Sequence, residues 1–169
     1  MRREGRPRLA LLLSALLLLA ICGEPARVEA KAAGLGPFDA RLAAAARQGA
    51  MRRLRSPDCQ RILTDFSDAS GRSLAENLES FALPVDEYLA KIVFFDGTGY
   101  RSCEAGAELF TTVGGHRVFV CKRFLNTAYQ RRAQAEIFVI HEMLHTLGLG
   151  ENPPSSQEIT DHVKRRCEG

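Results

Sequence analysis

His141 and His145 stand four residues apart with Glu142 beside the first, in the run His141-Glu142-Met143-Leu144-His145. On an α-helix that spacing amounts to about 400° of rotation and roughly 6 Å of rise, so both imidazoles share one face and can reach one ion. Imidazole nitrogens are common zinc ligands. Glu142 has the position to take the proton of a water activated by such an ion, and the expected chemistry is metal-assisted hydrolysis. With 4 His among 169 residues, the pattern arises by chance in only about 0.7% of chains of this composition. The plainer alternative is a pair of hydrogen-bonded core histidines. It requires burying two imidazoles and a carboxylate together with no ion to offset the cost.

The elements that must position this run follow from periodicity and punctuation. From Ala128 to Leu147 the chain has no Gly or Pro, opens after the cap candidates Asn126 and Thr127, and stops at Gly148. One continuous helix is expected there. Ala133, Ile137, Ile140, Leu144 and Leu147 form an apolar stripe, and Phe138, His141 and His145 form a neighbouring one, so the helix enters the interior where the histidines lie. Upstream, helices are expected over 39–54, from Ser56-Pro57-Asp58 through Phe66, over 74–81 and over 85–89, with a turn at 68–72. A strand is expected at 91–95. The runs Leu109–Val113 and His116–Cys121 then read as a hairpin closed by Gly114-Gly115. After Pro153-Pro154 a last helix covers 157–166. Helices collected on one side of a small, mostly antiparallel sheet make an α+β domain.

Residues 1–30 read as a signal peptide. Arg2, Arg3, Arg6 and Arg8 precede an apolar run from Leu9 to Cys22, and Val28-Glu29-Ala30 offers a cleavage site. An apolar stretch of about 14 residues is too short to span a bilayer, which takes roughly 20. No stable membrane insertion is therefore expected of residues 31–169, which form one domain. Leu19-Ala20-Ile21-Cys22 faintly resembles a lipobox, but Ile21 occupies the position that calls for a small residue, which disfavours lipid anchoring. The expected location is periplasmic or secreted. Five of the 23 Lys and Arg and three of the 20 Asp and Glu lie in the leader, leaving 18 basic against 17 acidic residues. A nucleic-acid partner is not expected of so balanced a domain.

Export also decides how the cysteines are read. Cys59, Cys103, Cys121 and Cys167 remain after the leader, an even set with no Cys-x-x-Cys pair, and two disulfides are expected. Three connectivities exist. Cys103 with Cys121 would bracket the hairpin region, and Cys59 with Cys167 would tie the last helix to an early one.

A catalytic zinc ordinarily has three protein ligands and one open position, so a third ligand is needed. The extended run, His141-Glu-Met-Leu-His145-Thr-Leu-Gly148-Leu-Gly-Glu151, resembles the metzincin motif, in which a Gly reverses the chain and the third ligand follows three residues later. That resemblance puts Glu151 in the ligand position, where the family usually has His or Asp. Carboxylate oxygen is an acceptable substitute. The chain has no Met after residue 143, so the family's methionine turn is missing. Glu158, His162 and Asp161 are the rival ligands, since the related gluzincins draw an acidic residue from a later helix. Ser155 and Glu158 also have the spacing of a capping box.

The domain is similar to the zincin metallopeptidases and to small exported bacterial proteins of the metallopeptidase class. The resemblance implies a Zn2+ cofactor held by His141, His145 and Glu151, Glu142 as general base, and a peptide or protein substrate. It also implies that the edge of the hairpin, His116–Cys121 or its partner, holds the substrate extended. Tyr100, His116 and His162 are the candidates to stabilise an oxyanion. The competing expectation is a non-enzymatic exported module with a structural metal, and a further one is hydrolysis of a cell-wall peptide or an acylated amine.

Overall fold

The computed structural model describes residues 34–168; the expected signal peptide lies outside them. The first helix, α1 (Pro37–Arg53), starts on a proline, whose fixed φ suits the first turn, and ends on Arg52 and Arg53, whose charges favour the negative end of the helix dipole. The region expected as one helix through Phe66 is two short ones, α2 (Pro57–Gln60) and α3 (Ile62–Asp65), which meet at Arg61. Next come α4 (Leu74–Glu79), opened by a Ser73–Glu76 capping box, and α5 (Val85–Lys91). The strands are β1 (Val93–Asp96), β2 (Leu109–Thr111) and β3 (Arg117–Val120), with α6 (Arg101–Glu104) between the first two. The chain closes with α7 (Lys122–Gln130), α8 (Arg132–Thr146) and α9 (Ser156–Cys167).

The α+β class stands, but the sheet is mixed rather than mostly antiparallel. Its order is β1-β3-β2, with β3 parallel to β1 and antiparallel to β2. The parallel pair arises because α6 and β2 intervene between β1 and β3, giving the chain length enough to cross back. The hairpin turn is also longer than two residues. β2 stops at Thr111, the Gly115 N–H bonds the Thr112 carbonyl at 2.7 Å, and Gly114 takes φ +72.

The expected continuous helix is broken at Arg131, whose φ of −139° and ψ of 65° are not helical. Packing accounts for the break. Phe124, Thr127 and Ala128 of α7 and the buried residues of α8 both meet α1, and a change of direction lets each helix present its own apolar face. From Ala135 to Thr146 every residue of α8 except Phe138 is buried. A helix apolar nearly all round belongs in the middle of a core, and α1, α7, α9 and β2 surround this one. At Gly49 of α1 a Cβ would overlap the Glu136 carboxylate. The missing side chain lets that carboxylate take the Arg53 guanidinium at 2.8 Å, while Arg53 also donates to the Cys167 carbonyl at 2.6 Å.

Cys59 is joined to Cys167 and Cys103 to Cys121, the pairing expected. Two disulfides favour an extracellular or otherwise oxidising compartment. Among the described residues no helix is long and apolar enough to cross a membrane.

Candidate metal centre

The metal-ligand candidates converge at the C-terminal end of α8. His141 and His145 stack one turn apart, both buried, with their Nε2 atoms 3.0 Å from each other. Glu151 Oε1 lies 3.6 Å from His141 Nε2 and 3.3 Å from His145 Nε2. Ligand bonds of about 2.0–2.1 Å in a tetrahedron require neighbouring ligand atoms about 3.3 Å apart, and these three distances bracket that value. His141, His145 and Glu151 could together hold a metal ion.

Local structure brings Glu151 there. Gly148, at φ +111, ends α8 in a left-handed residue, with the Gly148 N–H on the His145 carbonyl and the Leu149 N–H on the Leu144 carbonyl. These are the two bonds of a Schellman cap. The reversed chain carries Leu149 under His145, so that the His145 Nδ1–H donates to the Leu149 carbonyl at 2.7 Å. A carbonyl only accepts, so the proton is fixed on Nδ1 and the Nε2 lone pair faces His141 and Glu151. On the other imidazole, His141 Nδ1 is 2.9 Å from the hydroxyl of Thr160, a buried residue of α9. Partners of this kind orient metal-binding imidazoles.

Glu142 is buried, and its Oε2 has no hydrogen-bond partner. Burial, aided by the nearby Glu151 charge, pushes its carboxyl up to about 8. Burial and the neighbouring His145 push His141 down to about 3. Without an ion, burial thus favours the uncharged form of each group, which leaves the imidazole free to ligate and puts the carboxyl's titration near neutrality, where both its forms are accessible.

Two cavities, of about 390 and 460 Å³, adjoin at Glu142. Leu109 and Ala107 wall both on the sheet side and Ser156 on the α9 side, so they form one cleft across the metal group. No protein-family model, no curated protein and no solved structure matches the chain.

The rival ligands are engaged elsewhere. Glu158 closes the α9 capping box with Ser155, Asp161 accepts from Gln157, and His162 pairs with Asp65 at 2.7 Å. Of the oxyanion candidates, Tyr100 packs on Phe110 and Phe119, and His116 on Phe81 and Tyr88. Neither they nor His162 line the two cavities. Sequence reading missed Thr160 and the Leu149 carbonyl, since a threonine on a distant helix and a backbone oxygen carry no motif.

The strand at the cleft is β2, not the central β3. Cys121 donates to the Glu108 carbonyl, and Phe110 pairs with Phe119. Ladder alternation therefore turns the N–H and C=O groups of Leu109 and Thr111 to the free edge, and both residues line the cavity beside His145. The Gly114 N–H bonds the His145 carbonyl at 2.9 Å, tethering the hairpin tip to the helix that carries the two candidate histidines.

Proposed function

We propose that residues 31–169 are an exported zinc-dependent peptidase. The observation that carries this reading is the unpartnered, buried Glu142 Oε2 beside three ligand atoms spaced for one tetrahedral ion. Leaving a buried carboxyl oxygen unpaired costs stability, a cost that makes sense where the group must be free to exchange a proton.

Two imidazoles and one carboxylate suit zinc, which when bound supplies Lewis-acid polarisation of a carbonyl and a more acidic water. His141 and His145 offer Nε2, each oriented through Nδ1, and Glu151 offers the third donor from the turn after Gly148. In its ionised form, which the charge of a bound cation would favour, Glu142 takes a proton from the attacking water and returns it to the leaving amine, and a carboxyl titrating near neutrality suits both transfers. The free edge of β2 binds the substrate as an added strand through the backbone groups of Leu109 and Thr111. A structural metal is favoured less: such sites are closed by four protein ligands, whereas Glu151 is 39% exposed and the cleft opens over the group.

The test is metal analysis and peptide cleavage with the oxidised chain from residue 31. One zinc per chain is expected, together with cleavage that Glu142→Gln abolishes without releasing the metal. A folded protein that takes up no zinc would overturn the proposal.

A further inference from the structure

The two halves of the cleft differ in charge. Along β2 toward Val113, the half lined by Leu109, Phe110, Thr111 and Val113 has no lysine or arginine in its wall, its charged or titratable groups being Glu142 and the ligand candidates His145 and Glu151. Toward Gly106, the other half is lined by Arg123 and Lys164. Arg123 is already committed, donating to Glu108 at 2.9 Å and to the Gly106 carbonyl at 3.2 Å. Lys164, half-buried on α9, has no carboxylate partner among the described residues. Glu142 lies at the junction of this half with the other, and on α9 Asp161 accepts from Gln157.

Resting on the peptidase reading, we infer that the substrate is an extended peptide with an apolar residue before the scissile bond and an acidic residue within two positions after it. Glu142 stands where the halves meet, so the cleaved bond lies there. The direction follows from pairing. A short segment added to an edge strand is held better antiparallel than parallel, which sets its N-terminal part against Phe110–Val113 and its C-terminal part against Gly106–Glu108. The acidic side chain then meets the Lys164 ammonium. An ion pair shielded between β2 and α9 is screened less by salt than one on the open surface.

The test uses Glu142→Gln protein loaded with zinc, so that binding is read without turnover. Fluorescent decapeptides centred on Phe carry Glu, Gln or Lys at the first or second position after it, and affinity is measured by anisotropy. The Glu peptide should bind about tenfold more tightly than the Lys peptide, one close charge contact being worth roughly that factor. Lys164→Glu should reverse the order. Equal affinities, or tighter binding of the Lys peptide, would overturn the inference. Cleavage by the wild type, mapped by mass spectrometry, separates the two proposals. Charge-selective binding without cleavage of any peptide removes the peptidase reading and leaves the cleft's preference standing. Cleavage indifferent to charge does the opposite.

Discussion

The side-chain amide of Asn77 donates to the Leu147 carbonyl at 2.9 Å across 70 positions of sequence. The same nitrogen donates to Asp68 Oδ2 at 2.9 Å. Asp68 is itself held by the Ser70 hydroxyl and N–H and by the Arg72 N–H, and these bonds keep its carboxyl well below the usual carboxylate range. Asn77 of α4, held in turn by Asp68 of the preceding loop, thus clamps the residue before Gly148, where the chain reverses toward Glu151. A Cβ on Gly148 would come within 3.2 Å of both Asn77 and Asp68.

Removing that clamp should cost more than stability. Asn77→Ala leaves the Leu147 carbonyl without this donor, and unfolding in urea should show a loss of about 1–3 kcal/mol. Because the turn places Glu151, zinc affinity measured against a competing chelator should also fall, by about tenfold, the lower end of what supporting residues contribute. A stability loss with unchanged zinc affinity would make the clamp structural only.

Glu151 and Glu158 give a direct comparison. Glu151→Ala removes a ligand atom lying within 3.6 Å of both imidazoles and should weaken zinc binding by well over tenfold, comparable with His145→Ala. Glu158→Ala removes only the cap at Ser155 and should lower the melting temperature slightly, with zinc retained. The reverse pattern would mean that α9 supplies the ligand.

The helix run, the Gly148 turn and the cysteine pairing were legible because each is local or few-membered: two histidines at one helical spacing, one residue able to take φ +111, and three ways to join four thiols. The Arg131 break was not. No Gly or Pro marks it, and packing of α7 and α8 on α1 decides it. The parallel β1–β3 pair escaped for a related reason, since strand patterning does not say which strand a run will join. Asn77 and Thr160 act through contacts 70 and 19 positions away, and nothing at such distances is written in periodicity.

Stripping the metal with a chelator should expose a pH dependence of stability set by Glu142 and His141. For Glu142, raised from 4.5 to about 8 by burial and the nearby Glu151, the fold favours the neutral acid. Its contribution is complete below 4.5 and is lost as pH rises toward 8. For His141, lowered from 6.5 to about 3 by burial and the nearby His145, the contribution is present above 6.5 and is lost as pH falls toward 3. The two slopes oppose each other between 4.5 and 6.5, so urea midpoints should be nearly level there and decline on either side. Glu142→Gln should abolish the decline between 6.5 and 8 while keeping the acid one. A wild-type midpoint as high at pH 8 as at 5.5 would contradict this assignment.

The two disulfides should separate stability from site integrity. Cys103–Cys121 closes a span of 18 residues and Cys59–Cys167 one of 108. In the chain-entropy picture loops of those sizes stabilise by about 3 and about 4.7 kcal/mol, so the Cys59→Ser/Cys167→Ser variant should melt first. The first bridge, however, pins α6 to the end of β3, and the intervening segment Gly106–Glu108 walls the cleft on its way into β2. None of the three metal-ligand candidates lies in that span. Cys103→Ser/Cys121→Ser protein, assayed well below its melting temperature, should therefore keep its zinc while KM for peptides rises severalfold. Loss of zinc from this variant at a temperature where circular dichroism shows it folded would mean that the α6–β3 staple supports the metal group itself, and that the cleft wall and the metal centre are one mechanical unit.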